Sequence, residues 1–389
     1  MLHRLHDCFG HMKVFPTYQQ QYSIRTSLSE HSQMSNHLRI GLIGASAKGG
    51  WARESHVPAI QGTEGLVLEA VATSHQASAD DAAHAFGARL AFGDALAMVR
   101  SPDVDVVAVS VRVPLHRGLV MAALDAGKHV LSEWPLGTDV ADATIMADAA
   151  NDAARGGRRV AIGLQARFAP AVQAAREQLA AGRIGRVVSA RVVSTTIALN
   201  PNVVDEAAYM EDPASGVNVY TIHGGHTFDL VEALLGPIAE ARAQLSTLYP
   251  VVTMPDGSQA RREVAEHALF TGRLASGAPF GIEVAGARER EWPFIFEVTG
   301  TKGTMVLRGG GPRGFQASRL ALYVDDDEFA LPPSVLPVSA VNVAGVYAAL
   351  RDDILDGTHR APPFDHALSL TRALSDMAQG HTVGYAPPR

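Results

Sequence analysis

The chain of 389 residues is too long for one small hydrophobic core, which predicts two domains. Hydrophobic residues make up 47% and charged residues 19%, a composition typical of a soluble globular enzyme. A net charge of -7 without any Lys/Arg-rich run argues against nucleic-acid and membrane-surface binding. No apolar stretch approaches the roughly 18–20 residues that span a bilayer.

Residues 1–37 are polar and rich in His, Gln and Ser, without the apolar segment of a secretory signal. We expect a disordered leader, or an upstream start ahead of Met34. Cys8 is the only cysteine and lies in this segment. Disulfide frameworks and cysteine-based zinc sites are therefore excluded, and a cytoplasmic location is expected.

Short apolar runs alternate with helical patterns between residues 38 and 164. Because near-continuous Val/Ile/Leu strands separated by helices form parallel sheets covered on both faces, this region predicts a doubly wound Rossmann domain that binds a dinucleotide. The predicted strands are LRIGLIG (38–44), LVLEAVAT (66–73), DVVAVSV (105–111), HVLS (129–132) and RVAIGL (159–164).

The pattern changes after residue 164. A helix at about 168–181 leads into strands that alternate apolar and polar residues, with hairpin-like breaks at ASGAP and GTKG. Residues 165–340 therefore predict an α+β substrate and dimerisation domain with a large, mostly antiparallel, open-faced sheet. Helical patterns at about 340–356 and 364–379 lie in a segment, 341–389, that we expect to pack back on the two domains.

The first strand ends in a glycine-rich turn, Gly44-x-Ser46-x-x-Gly49. This is the dinucleotide fingerprint with serine at the middle glycine, and it predicts pyrophosphate binding at the following helix N-terminus. The residues predicted to contact the cofactor here are Gly44, Ser46, Lys48, Gly49, Gly50 and Trp51.

The second strand ends in Thr73, Ser74 and His75, where such fingerprints usually place an acid for the 2′-hydroxyl of NAD. A small hydroxyl followed by a potential cation suits a 2′-phosphate, so the sequence leans towards NADP(H). The alternative is that these are solvated loop residues and NAD(H) binds regardless.

Two further strands end at the same predicted crevice edge. The segment SVRVPLH (110–116) is followed, after one helix, by HVLSEWPLG (129–137). Arg112 and His116 are candidates for contact with cofactor or substrate and are equally compatible with surface positions. Proline starting a helix also has a purely structural explanation. The predicted cofactor contacts in these segments are Ser110, Val111, Val113, Pro114, His116, Glu133, Trp134 and Pro135.

The segment GVNVYTIHGGHTFDL (216–230) is the other dense cluster of polar residues. His226 and Asp229 stand three apart on one face of a predicted helix start, where the preceding glycines would permit close approach of a ligand. Histidine suits proton transfer near neutral pH. In the alternative interpretation, His226 caps the helix, and the negative charge of Asp229 interacts favourably with the helix dipole. A metal site with His223 lacks a third ligand, so no metal is predicted.

These motifs resemble the glucose–fructose oxidoreductase / inositol dehydrogenase (Gfo/Idh/MocA) family over about residues 38–385. The resemblance includes AALDAGKHVLSEWPLG, GRIGRVVSARV, GGHTFDLVEALLG and VTGTKGTMVL. KGGWARESHVPAI and the Gln165-x-Arg167 pair make the chain most similar to the branch containing the fungal repressor of galactose genes. The resemblance implies a Rossmann domain and an open-faced sheet domain, with sugars, polyols or related carbonyl compounds bound between them.

Two positions depart from the family pattern. Trp134 stands where the family's Glu-Lys-Pro motif has its proton-handling lysine, and Ile222 stands where an aspartate commonly precedes the histidine that matches His226. A neutral indole cannot accept a proton, so acid/base work shifts to His226. The candidate catalytic residues are His226, His223, Trp134, Gln165, Arg167 and Tyr220.

The sequence therefore predicts an NAD(P)-dependent oxidoreductase acting on a sugar-like, polyol or related small substrate. One alternative is a non-catalytic nucleotide-binding regulator that works through a protein partner. Another is NAD(P)-assisted glycoside cleavage. We expect a homodimer or dimer of dimers through the C-terminal sheet, and substrate specificity in the long loop at 197–215.

Overall fold

The computed structural model describes residues 37–384. The predicted leader, with Met34 and Cys8, lies outside this range apart from residue 37. None of the helices within 37–384 is long and apolar enough to cross a membrane.

A six-stranded parallel sheet forms the first half of the fold, with strand order β3-β2-β1-β4-β5-β6. Its central strands are buried on both faces because their side chains are almost all Val, Ile, Leu and Ala. The strands are β1 Leu38–Ile43, β2 Leu66–Ala72, β3 Leu90–Phe92, β4 Val106–Val109, β5 His129–Glu133 and β6 Val160–Gly163.

Helices cover both faces of this sheet. The first begins with a wide π turn, Ala52–His56, and continues directly as α1. The helices are α1 Val57–Gln61, α2 Gln76–Phe86, α3 Ala95–Val99, α4 His116–Asp125 and α5 Val140–Arg155. The predicted doubly wound parallel fold is confirmed.

The second sheet has eight strands in the order β16-β15-β14-β13-β7-β12-β11-β8, antiparallel except between β7 and β12. This confirms the predicted large, mostly antiparallel sheet. Its strands are β7 Val187–Thr195, β8 Ile238–Ser246, β11 His267–Leu274, β12 Pro279–Ala285, β13 Phe294–Gly300, β14 Thr304–Gly309, β15 Leu320–Val324 and β16 Asp327–Phe329. A small hairpin contains β9 Val251–Thr253 and β10 Gln259–Arg261.

The described residues contain four further α-helices: α6 Pro170–Ala180, α7 Gly225–Leu235, α8 Val338–Leu355 and α9 Phe364–Ala378. Helices α6, α7 and α9 pack on one face of the eight-stranded sheet and leave the other face open. Helix α8 instead packs on the first helix of the parallel-sheet region, where Val343, Val346 and Tyr347 join its core. This placement brings a C-terminal helix close to the nucleotide-binding edge.

Candidate cofactor and active site

A cleft of about 410 Å³ lies at the carboxyl ends of β1, β4 and β5, where doubly wound sheets bind nucleotides. It brings together residues that are far apart in the sequence. Its lining comprises Gly44, Gly50, Trp51, Ala52, Ser110, Val111, Arg112, Val113, His116, Glu133, Trp134, Pro135, Glu206, Tyr209, Val217 and Ile222.

The glycine-rich turn has the geometry expected for a dinucleotide. Gly44 has a φ of +92°, and a Cβ atom there would overlap the carbonyl oxygen of Ser110. The hydroxyl of Ser46 accepts a hydrogen bond from the backbone N–H of Lys48 at 3.2 Å, so this side chain stabilises the turn itself. Space around Gly49 and Gly50 is open.

Trp51 lines the cleft, and its buried Nε1–H has no hydrogen-bond acceptor among the described residues. A buried indole N–H normally has an acceptor, so this orphaned donor marks a place for an oxygen of a bound group. Together with the open glycine turn, it shows that the residues present fit a nicotinamide dinucleotide.

The end of β2 is exposed. Thr73 bonds to Ser78 at 2.6 Å and to the carbonyl of His75 at 3.0 Å, while Ser74 and His75 face solvent. These contacts leave the preference between NAD(H) and NADP(H) as a prediction.

His116 is fully buried and connects the two strand ends that form the cleft wall. Its Nε2 lies 3.0 Å from the carbonyl of Val111, and its Nδ1 lies 3.1 Å from the carbonyl of Pro135. Burial lowers the pKa of His116, against the opposing influence of its contacts with the carbonyl groups of Val111 and Pro135. His116 therefore holds the two strand ends at the cleft wall in position. Pro114 lies in the short 3-10 turn just before His116.

Glu133 is held in place by a buried chain of hydrogen bonds that was not predicted from the sequence. Its Oε1 lies 2.8 Å from Nε2 of His56, and Nδ1 of His56 lies 2.8 Å from the hydroxyl of Tyr347 on α8. A hydrogen atom in place of a side chain at Gly163 makes room for the carboxylate, since a Cβ there would lie 2.9 Å from Oε1. No local pattern signals these contacts, because the partners come from three separate segments.

Trp134 separates the cofactor cleft from a second cavity of about 480 Å³ that also contacts its indole. The side chain is buried, and its Nε1–H donates to the carbonyl of Thr221 at 3.0 Å. A Cβ at Gly225 would lie 2.6 Å from Nε1. The indole therefore occupies the space that the missing side chain of Gly225 leaves, and its N–H is already hydrogen-bonded to Thr221. The Trp134–Pro135 peptide bond is cis.

The segment around His226 differs from the predicted helix start. A π turn, Tyr220–Gly224, runs without interruption into α7, and Gly224 and Gly225 have ordinary helical angles. The expectation that these glycines admit a ligand at a helix start is wrong for Gly225, whose missing side chain accommodates Trp134. His226 does not cap the helix either.

His223 and His226 are buried and neutral. Burial lowers the pKa of His226 to about 4, against the opposing influence of Asp229 and Glu133. Burial and the neighbouring His226 lower the pKa of His223 to about 3. Within residues 37–384, Nδ1 of His226 has no hydrogen-bond partner, whereas Nδ1 of His223 lies 3.3 Å from the amide nitrogen of Gln316.

Arg167 and Asp229 form a buried ion pair. Nε of Arg167 lies 3.2 Å from Oδ2 of Asp229, and Nε2 of His366 on α9 lies 2.6 Å from Oδ1. Although burial raises the pKa of Asp229, these two partners lower it to about 2. Arg167 and Asp229 thus join the 3-10 turn after β6 to α7 and α9, which differs from the predicted favourable interaction of Asp229 with a helix dipole.

The two remaining candidates also lie in the interior. Gln165 is buried, and its Oε1 has no hydrogen-bond donor in the part of the chain that the structure describes. The Tyr220 hydroxyl donates to the carbonyl of Leu374 at 2.6 Å, and burial raises its pKa well above the ordinary value. The Tyr220 hydroxyl therefore links its π turn to α9, whereas Oε1 of Gln165 remains a hydrogen-bond acceptor without a donor.

The long loop at 197–215 closes one side of the cleft. The guanidinium of Arg112 lies 4.8 Å from the ring centre of Tyr209, a cation–π contact between the β4 end and this loop. Glu206 lies beside it in the cleft wall. Neither Glu206 nor Tyr209 was singled out individually from the sequence, because nothing in the loop composition specifies which side chains face inward.

A parallel sheet with a glycine turn and a nucleotide-sized cleft at its switch point defines a dinucleotide-binding protein. Residues 38–161 match the family described as "Oxidoreductase family, NAD-binding Rossmann fold", and residues 170–309 match "Gal80p, C-terminal domain". The first part of the chain is thus similar to the Gfo/Idh/MocA oxidoreductase family and the second part to the C-terminal domain of Gal80p, as the sequence resemblance indicated.

Similar proteins include enzymes and a regulator. The 1,5-anhydro-D-fructose reductase of Ensifer adhaerens is 36% identical, over 50% of this chain and 56% of its own. The Saccharomyces cerevisiae galactose/lactose metabolism regulatory protein GAL80 is 25% identical, over 78% and 73%. An NAD binding oxidoreductase of Klebsiella pneumoniae has the same fold, with a TM-score of 0.76, 27% identity and coverage of 90% and 100%. The chain spans only 55% to 62% of the first three curated relatives.

Proposed function

We propose that the protein is an NAD(P)-dependent oxidoreductase. It acts on a sugar-like, polyol or related small hydroxyl or carbonyl substrate by hydride transfer, with His226 as the acid/base group. The nucleotide would occupy the cleft along Gly44, Trp51 and Glu133. Support for this comes from the fit of the cleft to a dinucleotide and from the sugar reductase among the similar proteins.

The unpartnered Nδ1 of His226 is the observation that carries this proposal. His226 lies one helical turn after Ile222, which lines the cleft. Since the pKa of His226 is lowered to about 4, the imidazole is neutral at pH 7, and in the tautomer with the proton on Nε2 its Nδ1 is an open acceptor. The carboxylates of Glu133 and Asp229 favour the imidazolium that forms when a proton arrives.

In the oxidative direction, His226 accepts the proton of the substrate hydroxyl while the carbon–hydrogen bond breaks. A nicotinamide bound in the cleft would supply the hydride acceptor. Trp134 cannot replace the family lysine in this step because its only polar hydrogen is bonded to Thr221. Its indole instead excludes water from one side of the reacting region.

The test is a turnover assay at 340 nm with NAD+ and NADP+ and a panel of neutral sugars and polyols. We expect an absorbance rise that His226→Ala reduces by about 10²–10⁴. His84, exposed on α2, supplies the control variant His84→Ala. Measurable nucleotide binding with no turnover on any substrate would contradict the proposal.

A second candidate function is a non-catalytic nucleotide-binding regulator that works through a protein partner. Two observations favour it. Trp134 and Ile222 carry no group that can accept a proton, and the indole N–H of Trp134 is already bonded to Thr221. The second domain of the chain also matches that of Gal80p. Full biological activity of His226→Ala would favour this function, and catalytic turnover would exclude a purely regulatory role. Aglycone release without net nucleotide reduction would instead indicate nucleotide-assisted glycoside cleavage.

We further propose that the open face of the eight-stranded sheet forms a homodimer. Leu269 and Ile295 are exposed on this face beside the ion pair of Arg191 with Glu297, and a large open sheet face offers a self-complementary surface to a second copy of the chain. Light scattering should give twice the monomer mass, and Ile295→Glu should reduce it. An unchanged monomer mass in the parent protein would contradict this arrangement.

A further inference from the structure

A buried arginine lies at the base of the long loop that closes one side of the cofactor cleft. Arg262 follows directly after β10, and its side chain is buried. Its backbone N–H donates to the carbonyl of Pro250 at 3.0 Å and closes the base of the β9–β10 hairpin. Because a buried charge must be compensated by its neighbours, the contacts of this guanidinium show which segments it holds in place.

Four hydrogen bonds run from the Arg262 guanidinium to the loop at 197–215. At the start of the loop, Nη1–H donates to the carbonyl of Leu199 at 2.8 Å, and Nη2–H donates to that of Asn200 at 3.1 Å. Towards its end, the guanidinium contacts both carboxylate oxygens of Glu211, with Nε 2.9 Å from Oε2. Lysine cannot make this set of contacts, because it lacks the planar fork of donors. One side chain therefore holds both ends of the loop.

The start of the loop depends on these contacts. Leu199 is buried and has a φ of +57°, a left-handed conformation that a residue other than glycine rarely adopts. Strained backbone of this kind persists only where its surroundings hold it, and the bond from Arg262 to the Leu199 carbonyl is one such contact. Further along, the backbone of Thr253 in β9 donates to the carbonyl of Pro201 at 2.8 Å and accepts from the N–H of Val203 at 2.9 Å. The hairpin that Arg262 closes therefore also holds the loop.

One turn of the loop faces both the cleft and Arg262. Glu206 and Tyr209 lie in the 3-10 turn Asp205–Glu211 and both line the cleft. They are three residues apart, a spacing that places two side chains on the same side of a 3-10 helix. Glu211, two residues further on, contacts Arg262 instead. The position of this cleft wall is therefore coupled to the buried Arg262–Glu211 ion pair.

The contact of this wall with the parallel-sheet region is weaker. It consists of the Arg112 guanidinium, 4.8 Å from the ring centre of Tyr209. Because Arg112 is exposed and Tyr209 is only half-buried, this cation–π contact lies at the weak end of its range. The stronger restraint on the wall comes from Arg262, which does not itself line the cleft.

We propose that Arg262 is a positioning residue for the nucleotide site. It holds the loop at 197–215 in place as one wall of the cleft before the nucleotide binds. A wall that is fixed in advance spares the entropy cost of ordering the loop on binding, so the nucleotide is retained for longer. This inference rests on the nucleotide-binding part of the proposed function and goes beyond it, because Arg262 lies outside the cleft and takes no part in hydride transfer.

The test is the rate at which NADH or NADPH, whichever binds more tightly, leaves the protein. It is measured by stopped-flow fluorescence after mixing with excess oxidised nucleotide. Glu211→Gln removes one carboxylate and still leaves Arg262 compensated by Glu266, whose Oε2 lies 3.8 Å from Nη1, so we expect this variant to fold. It should release nucleotide about tenfold faster than the parent, with its association rate nearly unchanged.

Two further variants complete this comparison. Arg262→Lys keeps the charge and loses the fork of donors, so it should also speed release about tenfold. Glu240→Gln removes one partner of the exposed ion pair between Glu240 and Arg273 and is the matched control, with release at the parental rate. Parental release rates in both Glu211→Gln and Arg262→Lys would overturn the inference.

A double-mutant cycle separates positioning from a purely structural role. Tyr209→Leu removes the aromatic side chain that the loop presents to the cleft. In this background Glu211→Gln should change the release rate less than about twofold, whereas its effect on thermal stability should be the same in both backgrounds. Fully multiplicative effects of the two substitutions on release would show that Arg262 does not act through this wall, and would overturn the inference.

The outcomes separate the two proposals. Turnover of a substrate by a protein whose nucleotide release ignores both Glu211→Gln and Arg262→Lys leaves the oxidoreductase function standing and removes the positioning role. Nucleotide release that depends on Arg262 and Glu211, in a protein without turnover, supports the positioning role and contradicts the oxidoreductase function.

Discussion

Nε2 of His56 lies 2.8 Å from Oε1 of Glu133, and this contact links the first helix to the end of β5 inside the cofactor cleft. Tyr347, on α8, completes the chain at Nδ1 of His56. With the tyrosine O–H donating to Nδ1, the imidazole donates its Nε2–H to the carboxylate. Burial keeps the pKa of Tyr347 well above its ordinary value, so the tyrosine remains a donor.

Tyr347→Phe should weaken nucleotide binding about tenfold, because Nδ1 of the buried His56 loses its partner and Glu133 loses its fixed position. The measurement is NADH affinity by fluorescence titration. Tyr323→Phe, on β15, removes a phenol hydroxyl far from the cleft and serves as control. Equal affinity for all three proteins would show that the chain does not position Glu133 for the nucleotide.

Gly225→Ala should destabilise the protein by about 1–3 kcal/mol, because the new methyl group overlaps the indole of Trp134. In a Trp134→Ala background the same substitution should cost almost nothing. Urea unfolding of the four proteins gives the coupling energy directly. Additive effects of the two substitutions would mean that Trp134 does not occupy this space.

Asp229→Asn should cost about 3–5 kcal/mol, since it leaves the partly buried Arg167 guanidinium opposite an uncharged amide. The depressed pKa of Asp229, about 2, adds a pH signature. This contribution to stability is present above the unfolded-state pKa near 3.9 and is lost as pH falls through about 2.

Urea unfolding between pH 5 and pH 2 measures this dependence. The substituted protein should lose less stability over that range than the parent. Asp205→Asn, at an exposed position, should behave like the parent. Parallel pH curves for the parent and Asp229→Asn would contradict the ion-pair account.

His226→Gln should flatten the pH dependence of stability in a different range. The folded pKa of His226, about 4, lies below the unfolded value near 6.5. Unfolding is therefore favoured progressively as pH falls from about 6.5 towards 4, because only the unfolded chain takes up the proton. Thermal unfolding at stepped pH should show a shallower decline for His226→Gln, whereas the exposed His84→Gln should follow the parent. A decline as steep as the parent's would mean that His226 is solvated.

The parallel sheet was predictable because burial on both faces leaves nearly continuous apolar strands. Strand β3, Leu90–Phe92, was missed because it is only three residues long and half-buried. The π turns at 52–56 and 220–224 were also missed. They contain no residue that distinguishes them from ordinary helix, and the second moved the start of the helical segment ahead of both glycines.

The candidate site was predictable only where its residues follow strands directly. Gly44, Ser110 and Glu133 occupy the carboxyl ends of β1, β4 and β5, so chain order alone brings them together. The pairing of His56 with Tyr347 crosses 291 positions of sequence and depends on where α8 docks. The contact of Asp229 with His366 depends on α9 in the same way.

Deuterium transfer tests the central claim of hydride transfer most directly. A neutral sugar or polyol carrying deuterium at its carbinol carbons is incubated with the protein and NAD+ or NADP+, and the nucleotide is analysed by mass spectrometry. The oxidoreductase proposal predicts reduced nucleotide containing one deuterium, formed far more slowly by His226→Ala. Binding of both nucleotide and sugar without any transfer of deuterium would contradict it.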